Sequence, residues 1–147
     1  MKRATALLTL LGLPLALAFA AVPASAATIT VNTNSDATLA VAANCVVGNP
    51  DTCRLRDAIA AAASGDTINF AAALTGSTIT LAGTLTVNKN LTIDGADAPG
   101  LAVSGNNSVR VFTVSAGTTA EFANFTIKGG FKAAWAAAFT TTQARSS

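Results

Sequence analysis

From Thr67 to Ile127 the chain is a succession of short apolar and β-branched runs with almost no tight hairpin turns between them. The runs are Thr67-Ile68-Asn69-Phe70, Thr78-Ile79-Thr80-Leu81, Thr84-Leu85-Thr86-Val87, Leu91-Thr92-Ile93, Leu101-Ala102-Val103, Val109 to Val114 and Ala120 to Ile127. Gly, Asn, Asp and Ser fill the gaps. Most runs are shorter than the strands of a sandwich. The two-residue turns that would fold neighbours back antiparallel are mostly missing. Leu91-Thr92-Ile93-Asp94-Gly95 and Phe125-Thr126-Ile127-Lys128-Gly129 form a rough internal repeat. Short strands, small turns and a repeat predict an all-β solenoid of stacked parallel rungs. On pattern alone, a small antiparallel sandwich is the alternative.

The stretch before these runs is organised differently. Thr28-Ile29-Thr30-Val31-Asn32 alternates polar and apolar residues and predicts a first strand. Cys45 and Cys53 follow, eight residues apart, around the turn-forming Gly48-Asn49-Pro50-Asp51. They are the chain's two cysteines, and there is no His, so a four-ligand zinc site within one chain is incomplete and a disulfide closing a small loop is the expectation. The period then becomes helical. Cys53 to Ala63 predicts a short amphipathic helix, capped by Asp51 or Thr52 and ended by Ser64-Gly65. Leu55, Ile59, Ala62 and Ala63 form its apolar face, and Arg54, Arg56 and Asp57 lie mainly off it, as a solvated face with a weak ion pair.

The N-terminus carries an export signal. Met1-Lys2-Arg3 is basic, Ala4 to Val22 is uncharged and leucine-rich, and Pro23-Ala24-Ser25-Ala26-Ala27 offers small residues to a signal peptidase. Cleavage is expected after Ala26. Pro14 interrupts the apolar run and the small-residue exit favours cleavage over a retained anchor. The mature 121 residues suffice for one domain. Lys2 and Arg3 leave with the signal, so seven basic residues then face seven acidic ones. That balance, without a basic stripe interleaved with aromatics, argues against a nucleic-acid partner. No second apolar segment is long enough to span a membrane.

Thr52-Cys53-Arg54-Leu55-Arg56-Asp57-Ala58-Ile59, followed by Gly65-Asp66-Thr67-Ile68-Asn69-Phe70, resembles the motif of the CSLREA-domain proteins, a group of bacterial surface proteins. Arg54 stands where that family usually has Ser, and Asp57 where it usually has Glu. Leu91 to Gly95, Val103-Ser104-Gly105-Asn106 and Arg110-Val111-Phe112 also resemble the family's rungs, so the likeness covers about Thr28 to Gly130. Such proteins are similar to polymorphic outer-membrane repeat proteins and to the pectate-lyase-like right-handed parallel β-helix. The resemblance implies the N-terminal rungs of that fold and a secreted, extracellular or cell-surface place, with the outer membrane among the destinations. It implies no reaction. In such a fold the helix has a physical role. Cys53, Leu55, Arg56, Asp57, Ala58 and Ile59 would cap the end of the rungs, with Leu55 and Ile59 as the plug and the Cys45–Cys53 bond as anchor.

The pattern changes after Gly130. Phe131 to Ala144 holds the chain's one Trp, an Ala-rich run and no rung pattern. One reading is a C-terminal helix capping the last rung. Back-translated and read two bases forward, the same segment can spell Gly-Gly-Val-Gly-Gly-Gly-Ile-Tyr-Asn-Asn-Ala-Gly-Thr. Within it the Trp135–Ala136 junction forces Gly. The shifted sequence looks like the glycine-rich turn and next rung of the same family. A frameshift near Gly130 is the expectation, with the chain an N-terminal fragment of a longer β-helix. The expected organisation is residues 1–26 signal, 27–65 first strand, Cys loop and capping helix, 66–130 rungs, and 131–147 aberrant tail.

Little in the chain points to catalysis. Without His there is no Ser-His or Cys-His couple. No P-loop, dinucleotide fingerprint or H-E-x-x-H is present. Asp94 and Asp97 are the one close acidic pair, a weak calcium candidate that reads more simply as Asp-Gly turn chemistry. Asn residues at rung turns are suited to left-handed backbone. The sequence therefore predicts a non-enzymatic scaffold or adhesin-like module that needs no cofactor and meets a surface ligand, protein or polysaccharide, through its rungs. The alternative is a fragment of a polysaccharide lyase or hydrolase whose catalytic rungs are missing.

Overall fold

The computed structural model describes residues 25–45 and 52–131. The predicted signal up to Ala24, the turn 46–51 with its candidate cap Asp51, and the tail from Lys132 lie outside the described residues.

The described chain is mostly strands in small parallel sheets, with one α-helix. The strands are β1 (Thr28–Val31), β2 (Thr67–Phe70), β3 (Thr78–Thr80), β4 (Leu85–Val87), β5 (Leu91–Asp94), β6 (Ala102–Ser104), β7 (Phe112–Val114), β8 (Ala120–Ala123) and β9 (Thr126–Lys128); the helix is α1 (Leu55–Ala61). One sheet runs β1-β2-β5-β8, the second β3-β6-β9 and the third β4-β7. Every pairing is parallel. From β2 onward the chain visits the three sheets in fixed rotation, so strands adjacent in a sheet are never adjacent in sequence. The antiparallel alternative is therefore excluded for the described residues.

The alternation legible in the sequence sets the faces. Ile68, Phe70, Ile79, Leu85, Val87, Leu91, Ile93 and Val103 are buried and form one cluster with Val31, Leu55 and Ile59. Their polar alternates, among them Thr80 and Thr86, point outward. β1 pairs with β2 across 39 positions, Thr28 with Thr67, but from β2 onward the pairing distance is nearly constant: Thr78 pairs with Ala102, 24 positions on, Leu85 with Phe112, 27 on, and Leu91 with Ala120, 29 on.

Two expectations about the strands need correction. The run Ala120 to Ile127 is two strands in two different sheets, broken at Asn124, whose φ of 60° turns the corner. The rough repeat of Leu91–Gly95 with Phe125–Gly129 is not the structural repeat. Leu91 pairs with Ala120, whereas Thr126 pairs with Ala102 in another sheet. Similar residues recur there because each strand needs an apolar residue inward and a turn after it. At these turns Asn106 and Asn107 also adopt positive φ, which Asn tolerates better than most residues. Gly105 is fixed differently: a Cβ there would sit 2.1 Å from the Val109 carbonyl oxygen, so no side chain fits.

Candidate functional site

The family-like motif sits on α1, which is shorter than its periodicity predicts. It spans Leu55–Ala61, not Cys53 to Ala63, and Arg54 is its N-cap, without a side-chain cap bond. Thr52 does not cap it. Ala63 is exposed, while Ala58 joins Leu55, Ile59 and Ala62 in the buried face. The helix packs beside β1 and the one-turn 3-10 segment Ala42–Cys45. The Cys45–Cys53 disulfide links the two, with Cys53 buried.

The charged residues of the motif are not a solvated face. Asp57 is 0 % exposed. Its Oδ1 accepts the Val41 N–H at 2.7 Å and its Oδ2 the Asn44 amide at 3.0 Å, with the Arg54 Nη1 at 3.8 Å. A buried carboxylate demands such donors, and Val41 with the 3-10 segment that follows it is folded onto Asp57 to supply them. Arg56 makes a two-pronged pair with Asp36, Nε to Oδ1 at 3.0 Å and Nη2 to Oδ2 at 2.7 Å. The same guanidinium donates to the carbonyls of Gly83 at 2.6 Å and Thr84 at 3.0 Å. Asp36 Oδ2 also accepts the Ala82 N–H at 2.9 Å. The side chains of Arg56 and Asp36 are 12 % and 2 % exposed, so this is a desolvated clamp from α1 to the corner before β4.

Two further groups complete the arrangement. Lys89 Nζ donates to the carbonyls of Ile59 (3.2 Å), Ala60 (2.9 Å) and Ala62 (2.5 Å), satisfying acceptors that the helix end leaves open. Asp66, 7 % exposed, accepts the Ala27 N–H on Oδ1 at 2.8 Å and the Ala63 N–H on Oδ2 at 2.7 Å. The Ala27 and then the Ala63 amide hold its carboxyl below the usual value, against burial, with help from the Lys89 charge.

Sequence reasoning singled out neither Asp36 nor Lys89, and it quoted Asp66 only within the family-like Gly65–Phe70 segment, with no role assigned to its carboxylate. Asp36 lies in an unpatterned stretch and its partner is twenty positions away. Lys89 sits in an ordinary turn. Nothing local marks either as a helix partner. For Asp66 the available signals are its place in that segment and its spacing after Ser64-Gly65.

The calcium candidates are used separately. Asp94 Oδ1 accepts the Ala96 N–H at 2.9 Å and the Asn124 amide at 2.7 Å. Asp97 Oδ2 accepts from Asn69 Nδ2 at 3.1 Å. Among the described residues no three acidic, His or Cys side chains gather in one place. An open groove of about 370 Å³ runs between α1 and the β4 corner, lined in part by Leu39, Arg56, Ile59, Thr84 and Lys89. Its two cations are already engaged, Arg56 in the clamp and Lys89 on the carbonyls of the helix end. The side chains of Asp36, Arg56, Asp57, Asp66 and Lys89 are all engaged in bonds that hold the helix and the strand starts in place. No helix among the described residues is long and apolar enough to cross a membrane. Comparison with protein-family models, curated proteins and solved structures returned no match.

Proposed function

We propose that this chain is an exported bacterial parallel β-helix, of the kind its CSLREA-like motif resembles, acting as a non-enzymatic scaffold or adhesin-like module that is secreted or held at the cell surface. The observation that carries the reading is the rotation of eight successive strands, β2 to β9, through three parallel sheets, with a disulfide-tethered helix packed at the β1 end. Each circuit is one rung. Such a stack presents rows of outward Thr, Asn and Ser at the strand spacing, a surface for binding a partner. The motif's charges support the scaffold reading because they hold the helix rather than converge on open space.

The fold is tested by cross-linking. Thr86 and Thr113 are register partners on the outer face of β4 and β7. Thr86→Cys with Thr113→Cys should form a disulfide under mild oxidation, and its failure would rule out the stack. Function is tested on the secreted protein with pectin-like and other polysaccharides. Retention without turnover supports the module, and turnover above a mock preparation replaces it with the lyase or hydrolase reading.

The same reading takes these rungs as the first of a longer stack. Among the described residues β7, β8 and β9 have no further strand beside them. Phe122 and Phe125 are only partly buried there, and Ile127 and Phe131 are 46 % and 53 % exposed. The next strand beside β7 should fall 24 to 29 residues after Phe112 to Val114, by the pairing distances of the other strands. In the shifted frame, Ile-Tyr-Asn spans Ala138 to Thr141, inside that window. Resequencing the gene across the Gly130 codon tests this: a continuing glycine-rich frame supports it, and a confirmed stop with no rungs in any frame ends it.

A further inference from the structure

Asp66 is a buried carboxylate placed at the point where export would create a new positive charge. Its Oδ1 lies 2.8 Å from the Ala27 nitrogen, the first atom after the expected cleavage site. The position of that nitrogen is set from downstream. Thr67 donates its N–H to the Ala27 carbonyl at 2.9 Å, and the register Thr28 with Thr67 continues from there. Ser25 and Ala26, the described residues on the leaving side of the cut, are exposed, as is Ala27 itself. Among the described residues no cationic side chain reaches salt-bridge distance of Asp66. Lys89 acts on it only through space, its Nζ being spent on three carbonyls of the helix end.

We propose that Asp66 is the receptor for the processed N-terminus: cleavage after Ala26 turns the Ala27 amide into an α-ammonium that ion-pairs with Asp66 and locks β1 onto β2. The inference rests on the export reading. A signal peptidase adds water across the Ala26–Ala27 bond; Ala26 leaves with the carboxylate, and the released Ala27 amine takes up a proton. Before cleavage Asp66 receives a neutral N–H. Afterwards the same contact is charge-assisted and needs no rearrangement. It joins the start of β1, the end of α1 through Ala63, and the start of β2 at one carboxylate. Maturation and folding are thereby coupled, and the unprocessed chain has the weaker lock.

The pH dependence follows with a definite sign. The ordinary α-amino pKa is about 8, and the ion pair raises it in the fold. The added stability is therefore full below about pH 8 and is lost as pH rises through the raised value. Asp66 and Lys89 are the charged groups acting at this point.

The test uses the secreted protein. N-terminal sequencing identifies the first residue. Thermal unfolding from pH 6 to 10 is then compared for the free N-terminus and for the same chain acetylated at Ala27. The free form should melt higher by on the order of 4 °C at pH 6 to 7. The gap should close by about pH 10, as the amine loses its proton. In Asp66→Asn the gap should be absent at every pH. If that variant fails to fold, the acetylation comparison decides alone. Equal melting of free and acetylated chains overturns the ion pair. A first residue other than Ala27 overturns it through the cleavage site, and absence of a processed product from the medium overturns the export reading itself.

Discussion

Asp57 shows what a fully buried carboxylate does in a molecule this small. It has no solvent and accepts from Val41 and Asn44, so it organises a segment with little pattern of its own. Asp57→Ala would strand both donors and should cost about 2 to 3 kcal/mol, measured by urea unfolding. At Arg56 the planar fork matters more than the charge, because it serves Asp36 and two carbonyls together. Arg56→Lys should therefore lose roughly 1.5 to 3 kcal/mol in the same assay. Asp66 contributes to the acid limb of stability. Its folded pKa is lowered, chiefly by the Ala27 amide, so its contribution is full above the ordinary value of about 4 and is lost as pH falls through the lower folded value. Melting temperature followed from pH 7 to 2 should fall below about pH 4, and Asp66→Asn should flatten that fall.

At the scale of elements, α1 is a seven-residue helix that could not persist alone. It is held by burial of Leu55, Ala58 and Ile59, by the disulfide, by Arg56 reaching to the corner before β4, and by Lys89 reaching back from the β4–β5 turn to its last carbonyls. The sequence's helical period located the element and its apolar face but overran both ends. Lys89 takes the carbonyls at one end, and Arg54 enters extended at the other. Reducing Cys45–Cys53 should lower stability by about 2.5 kcal/mol on the loop-entropy estimate. It should also speed hydrogen exchange at the Ala58 and Ala62 amides more than at Ile93 in β5. The strands were more legible than the helix, because each needs only two or three inward apolar residues and a turn.

For the whole molecule, the asymmetry of its two ends dominates. The β1 end is covered by α1 and fastened by a disulfide, an ion pair and a lysine. At the other end, among the described residues, β8 and β9 have open edges above partly buried Phe122 and Phe125, and Ile127, in register with buried Val103, is 46 % exposed. Phe112 meets Phe122 there at 4.6 Å, and Phe125 reaches inward to buried Phe70 at 5.9 Å, so among the described residues that end is apolar as well as unpaired. Sedimentation of residues 27–147 should show self-association that grows with concentration. Ile127→Lys at the edge should reduce it without lowering the melting temperature by more than a few degrees.

The sequence by itself determined the strand positions, their inward faces, the disulfide and the presence of a helix after it, because each depends on neighbours within a few residues. It also showed Asn where the backbone turns left-handed. Only the tertiary structure decided which strands pair, since register joins residues 24 to 39 positions apart. It alone split Ala120 to Ile127 between two sheets and gave the motif's charges their partners. Asp36, Lys89 and Asp66 act on groups that are distant in sequence, and a pattern read along the chain carries no record of what folding brings alongside.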